Sequence, residues 1–201
     1  MEIELLFPSA VGRLSLPEYV VPATAVLKEK VSTQQPNVWN VYQTEALYDE
    51  RLDGLLTRIA QESFSMLSEQ GYNMQNVQAR VSEFWGQEFR NTGQHIEHVH
   101  TSGSQITGFY FVEVPPNSAM PMVFDPRQGK RQINMPQANI EQVTYASEQI
   151  YMGVVPGDLI LMNAWLPHGF TRHQSDQPFR FIHFNVVVEF INNCQTTVEI
   201  I

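Results

Sequence analysis

Cysteine is almost missing from this chain, with Cys194 the only one among 201 residues. That excludes an internal disulfide and suits a reducing compartment, and its position outside any motif argues against a catalytic thiol. Positive charge is also scarce: 12 Lys and Arg stand against 21 Asp and Glu, for a formal net charge of -9. Non-specific nucleic-acid binding and anchoring on an anionic membrane both need clustered cations, so neither is expected. No apolar run approaches the roughly 18 residues needed to span a bilayer. The N-terminus also lacks a basic segment leading into an apolar one. A soluble, intracellular, cytoplasmic protein is the expectation. Internal repeats and low-complexity tracts are absent too.

What is present is enough apolar side chain, 43% of the residues, for one substantial core. A single domain over residues 1–201 is expected. Ile3, Leu5 and Phe7 alternate with Glu2 and Glu4, which predicts a short strand before Pro8, and a second is expected over Arg13, Leu14, Ser15 and Leu16. The stretch from Pro22 to Asn40 has little pattern and reads mostly as loop. Leu52, Leu55, Leu56 and Ile59, extended by Phe64 and Leu67, then follow helical spacing, with Thr44 as a candidate N-cap and Gly71 as a stop. Val77, Val81 and Phe84 predict a second helix from Met74 to Phe84. After Trp85 the pattern turns to strands, at 105–114, 120–124, 148–154, 158–163 and 179–189, separated by Pro, Gly, Asn and Asp turns. Helix first and sheet afterwards is an α+β arrangement. Many short strands suggest a sandwich or jelly roll.

The chemistry concentrates in residues 95–100, where His95, His98 and His100 bring half of the six histidines into one short stretch. Residues two apart on an extended chain share a face, so His98 and His100 could offer two imidazoles to one ion. His95 and Glu97 form the alternative register, which keeps a carboxylate. His168, which ends the apolar stretch after Leu159, is the candidate third ligand. Arg180 opens the last strong strand among apolar neighbours and needs an anionic partner; a guanidinium holds a carboxylate by two parallel hydrogen bonds, so a dicarboxylate cosubstrate would suit it. His173 and His183 read as lone structural histidines, Arg172 as a solvated loop cation, and Asp125 with Arg127 as turn residues. Trp165 reads as packing at a barrel mouth.

The ordered set His98-Val99-His100, Ser104 through Phe111, Asp125-Pro126-Arg127, Pro156-Gly157-Asp158, Trp165-Leu166-Pro167-His168 and Arg180 through Asn185 resembles a family of 2-oxoglutarate- and Fe(II)-dependent oxygenases. That family carries an HxHP motif, an SGxYY strand, a DPR element and a C-terminal R...FN strand, and Leu6-Phe7-Pro8 is similar to its start. The resemblance implies a double-stranded β-helix, or jelly-roll, core over about 90–190, buttressed by N-terminal helices over about 44–85. It further implies Fe(II) held by His98, His100 and His168, and 2-oxoglutarate held through Arg180 and faced by Tyr110, with Thr107 and Asn185 as further pocket residues. The implied activity is hydroxylation of a peptide or small-molecule substrate by dioxygen, releasing succinate and CO2.

The chain also departs from the pattern. His100 stands where the broader superfamily places a carboxylate, Thr101 where this family prefers proline, and Ile182 where a serine often supports the cosubstrate. A three-histidine, cupin-like metal enzyme that takes no 2-oxoglutarate is therefore a second expectation. A jelly-roll binding or assembly module without turnover is a third.

Overall fold

The computed structural model describes residues 2, 4, 6–31, 33–100, 102–133 and 135–191. Ile3, Leu5, Thr101 and Cys194 lie outside the described residues. Among the described residues there are ten strands, two α-helices and three short 3-10 helices. The larger sheet contains β1 (Val11–Ser15), β2 (Val41–Ala46), β3 (Val77–Phe89), β5 (Ile106–Glu113), β8 (Asp158–Asn163) and β10 (Phe179–Phe190). Across it the order is β1-β8-β5-β10-β3-β2. The smaller sheet contains β4 (His95–His98), β6 (Pro121–Phe124), β7 (Gln149–Tyr151) and β9 (His168–Phe170), in the order β4-β9-β6-β7. All pairings are antiparallel.

The strand period of two sorts side chains into two cores. Ile182, Phe184 and Val186 of β10, Tyr110 and Val112 of β5, and Leu159 and Leu161 of β8 turn to one face. There they meet Ala23, Val26 and Leu27 of α1 (Val20–Val31) and Leu55, Ile59 and Leu67 of α2 (Asp53–Glu69). The opposite face carries Phe179 and Phe181 of β10, Phe109 and Phe111 of β5, and Ile160 and Met162 of β8. These pack with Val123 of β6 and Phe170 of β9, filling the space between the sheets. Gly108 allows the strands to close: a Cβ there would lie 2.1 Å from the Ile160 carbonyl oxygen and 2.5 Å from Phe184 Cζ. Two packed sheets with helices on one outer face are the expected α+β jelly roll with buttressing helices. Among the described residues, no helix is long and apolar enough to cross a membrane.

Three local expectations change. The predicted helix from Met74 to Phe84 is strand β3, where half-buried Val77, Ala79 and Val81 alternate with exposed Gln78, Arg80 and Ser82. Pairing with β10 on one edge and β2 on the other overrides a spacing that also fitted a helix. Thr44 caps no helix; it lies in β2, where its buried hydroxyl accepts from the Gly86 N–H at 2.9 Å. Helical support also comes from α1, within the stretch with little pattern, where Pro22 occupies the first turn and needs no donor. β1, β2 and β3 then extend the larger sheet back before residue 90.

Candidate metal centre

The histidine cluster lies where the two sheets meet. β4 and β9 pair so that His98 and His168 are direct cross-strand partners, with a register shift between His95 and His98. Gly169 allows this approach, since a Cβ would sit 2.8 Å from the His95 carbonyl oxygen. After β4 the chain turns, and the His100 N–H donates to the Ala164 carbonyl at 2.9 Å, tying the third histidine to the turn that leads to His168. Ligand-capable atoms of His98, His100 and His168 thereby come within 4.8 Å of one another.

Their hydrogen bonds settle which nitrogens are available. His98 Nδ1 donates to the Ile96 carbonyl at 2.8 Å and His168 Nδ1 to the Leu166 carbonyl at 2.9 Å. Each bond puts the proton on Nδ1 and leaves the Nε2 lone pair for an ion. His168 Nε2 is buried without a partner. Burial holds His100 down to about 4, with the neighbouring His98 adding to the effect and Glu83 opposing it. Burial likewise lowers His168 to about 3. His100 and His168 are therefore neutral at physiological pH, the form that ligates a metal. The donor set and the unpartnered His168 nitrogen fit Fe(II).

The alternative pair is drawn apart. Glu97 turns outward to Arg131, which donates to it at 2.7 and 2.9 Å. His95 turns inward beside Phe89, with ring centroids 5.2 Å apart, and burial lowers it to about 4.

Asn185 lies beside His100, and Thr107 reaches the cluster only through His183. Asn185 Nδ2 lies 3.2 Å from His100 Nδ1 and also donates to Glu83. Thr107 Oγ1 is 3.2 Å from His183 Nε2. His183, read from sequence as a lone structural histidine, is a fourth imidazole at this site. It stacks on Trp85 with centroids 4.2 Å apart, its Nε2 lies 3.3 Å from His100 Nε2, and burial holds its pKa well below the usual histidine value. Only its inward parity with Asn185 on β10 could have signalled this. His173 is structural: it accepts from the Ala119 N–H at 3.2 Å, and its Nε2 lies 2.8 Å from the Gln177 carbonyl.

Arg180 and Tyr110 do not meet the cluster, and this corrects the expected cosubstrate site. Arg180 occupies the strand position between inward-facing Phe179 and Phe181 and turns to the other face, where it donates to Glu88 at 2.6 Å and to Glu113. Tyr110 packs on the helix side and its buried hydroxyl donates to the Leu16 carbonyl at 2.7 Å. Burial raises its pKa above the ordinary tyrosine value. The residues expected to hold 2-oxoglutarate therefore do not converge on it.

Residues 83–185, just over half of the chain, match the family model described as 2OG-Fe(II) oxygenase. The chain belongs to the 2OG-Fe(II) oxygenase family. It shares the oxygenase fold with SnoN, the non-haem α-ketoglutarate-dependent epimerase of nogalamycin biosynthesis, at 11% identity and a TM-score of 0.64, over 90% of this chain and 79% of that one. A Pseudomonas putida prolyl-4-hydroxylase is similar at 8% identity and a TM-score of 0.59, over 88% and 92% of the two chains. HygX from Streptomyces hygroscopicus, crystallised with nickel, 2-oxoglutarate and hygromycin B, is similar at 11% identity and a TM-score of 0.59, over 89% and 83%. No curated protein matches the sequence. The family is one of Fe(II)- and 2-oxoglutarate-dependent enzymes, so this oxygenase belongs with dioxygen chemistry on an organic substrate.

Beside the cluster opens a cavity of about 450 Å³, with His100 in its wall together with Trp165, Tyr72, Met74, Leu67, Val188, Asn73, Asn163, Gln105 and Ser104. None of these ten residues is an Asp, Glu, Lys or Arg. A larger groove of about 720 Å³ lies between the N-terminal segment and residues 123–152 and contains none of the histidines. The smaller cavity is the one that reaches the chemistry.

Proposed function

We propose that this oxygenase holds Fe(II) through His98, His100 and His168 and oxidises an uncharged group of a small molecule or peptide admitted past Trp165. The observation that supports this most is the convergence of three imidazoles, from β4, the segment after it and β9, at the wall of a cavity. Fe(II) held there would couple dioxygen to oxidation of an unactivated C–H bond, the other two electrons coming from oxidative decarboxylation of a 2-oxo acid to the next lower acid and CO2.

The chain's own residues position, desolvate and select. The Ile96 and Leu166 carbonyls orient two imidazoles, and the Ala164 carbonyl holds the third in place through the His100 backbone N–H. Phe109 packs edge-on to His168 at 5.6 Å and to His183 at 5.2 Å, and keeps water from the inner side of the centre. In the cavity, Trp165 and Tyr72 are about half exposed and offer aromatic faces. Asn73, Asn163, Gln105 and Ser104 offer uncharged donors and acceptors. A charged substrate group would find no counter-charge among the described lining residues.

The test is Fe(II) titration under anaerobic conditions, followed by oxygen uptake with a panel of neutral and charged candidate substrates and a 2-oxo acid supplied in excess. Binding of about one Fe(II) per chain, lost in His98→Ala and His168→Ala, and uptake stimulated by neutral candidates and weakened in Trp165→Ala, are the expected results. Wild-type metal binding in a variant carrying both His98→Ala and His168→Ala would overturn the assignment. The three-histidine enzyme working without 2-oxoglutarate is favoured by one observation, the outward turn of Arg180, and oxygen uptake that needs no 2-oxo acid would select it.

A further inference from the structure

In this family the cosubstrate carries two carboxylates, and the second one needs a cation inside the barrel. β10 shows what this chain puts there. Its inward positions are Phe179, Phe181, His183 and Asn185 in turn, and the two phenyls sit at the end of the strand beyond the histidines. They are packed without space: Phe181 stacks on Phe170 with centroids 4.8 Å apart and 16° between planes, and lies 5.6 Å from Phe109. Both phenyls are 0% exposed. Among the described residues, the buried polar and charged side chains include no lysine and no arginine. A carboxylate in that space would be stripped of water with no partner, which is prohibitive.

Arg180 is committed elsewhere. Its Nε and Nη2 grip Glu88, a carboxylate with 1% side-chain exposure, each at 2.6 Å, and its Nη1 donates to Glu113. Glu113 also takes Lys28 of α1 at 2.6 Å, and Glu88 takes Arg90 at 2.6 Å. Burial pushes the Glu113 carboxyl up, but Lys28 and Arg180 together outweigh this and leave it below its ordinary value. The guanidinium thus ties β10 to β3, β5 and α1 on the helix-covered face. To reach it, a ligand tail at the histidines would have to cross the strand and displace two carboxylates.

We infer that the described residues of this chain form no site for the far carboxylate of 2-oxoglutarate, and that any 2-oxo acid is held at its centre by the metal alone, without preference for a dicarboxylate. This rests on the metal-centre reading above. An arginine-held carboxylate, with two charge-assisted hydrogen bonds, makes a ligand on the order of a hundredfold tighter than the same ligand without it. The discriminating pair is therefore 2-oxoglutarate and 2-oxobutyrate, which share the metal-chelating end and differ in the tail carboxylate.

The experiment titrates each into the full chain loaded anaerobically with Fe(II), or with Co(II) as a spectroscopic stand-in, and repeats this in Arg180→Gln and Arg180→Lys. The expected result is a ratio of affinities within about threefold in all three proteins, or no detectable binding of either acid, while Arg180→Gln lowers the melting temperature. A preference for 2-oxoglutarate of about thirtyfold or more that collapses in Arg180→Gln would overturn the inference. A chain that takes no metal would sink the metal-centre reading separately. The inference is then read from thermal shifts of the metal-free protein, where equal effects of the two acids at millimolar concentration uphold it. A larger, Arg180-dependent shift with 2-oxoglutarate refutes it.

Discussion

Lowering the pH should unfold the metal-free protein by way of its histidines, over a window that the carboxylates do not share. His168 is 0% exposed and its pKa falls from 6.5 to about 3 on burial. The unfolded chain therefore binds a proton that the folded chain refuses between those two values. Stability is flat above pH 6.5, falls as pH drops through the unfolded pKa, and levels off only near the folded one. At pH 5 the loss from His168 alone is about 2 kcal/mol, from 1.36 kcal/mol per pH unit over about one and a half units. His95, His100 and His183 shift in the same direction and steepen the slope. Glu97, Glu113 and Asp125 have lowered pKa values, so their contribution is present above their unfolded pKa, near 4, and is lost only as pH falls below it. Urea unfolding in the presence of a chelator at pH 7.5, 6 and 5 isolates the histidine window. A midpoint unchanged between pH 7.5 and 5, or one that rises, would refute the buried, neutral state assigned to the cluster. Adding Fe(II) or Ni(II) should stabilise the protein more at pH 7.5 than at pH 5, because ligation competes with protons.

His98→Ala and His168→Ala should each weaken metal binding on the order of a hundredfold or more, measured by competition with a chromophoric chelator. Gly108→Ala should cost about 1–3 kcal/mol in denaturant unfolding, because its methyl would press on the Ile160 carbonyl and the Phe184 ring. Thr44→Val should cost about 1–2 kcal/mol by orphaning the buried Gly86 N–H, with metal affinity unchanged.

Strands with an unbroken chemical signature were legible in the sequence. β8 occupies 158–163, as its apolar run predicts, and β5 and β10 fall within a residue or two of expectation. His98 and His100 stood out because three imidazoles, with His95, fall within residues 95–100, and His168 because it ends the apolar run after Leu159. What failed was facing. Arg180 and Tyr110 were placed at the cosubstrate by motif order, but which way a side chain points depends on strand parity, and a slip of one residue reverses it. In β10 that slip exchanges Arg180 for Phe179, a cation for a phenyl. The β3 error is of the same kind, since Val77, Val81 and Phe84 satisfy a helical period, and only pairing with β10 and β2 excludes it. His183 offered only its parity with Asn185 on β10 as a signal, because its place beside His100 is created by the approach of β10 to the segment after β4.

The cross-strand pairing of His98 with His168 joins two short strands of the smaller sheet that are far apart in the chain. An ion held by both closes that long loop in the folded protein and finds no such pair of ligands in the unfolded chain. Metal occupancy would then govern how long the barrel stays shut as well as what it can oxidise. Strand separation would demand release of the ion first, so the loaded protein should resist unfolding and proteolysis at β4 and β9 in proportion to its grip on the metal.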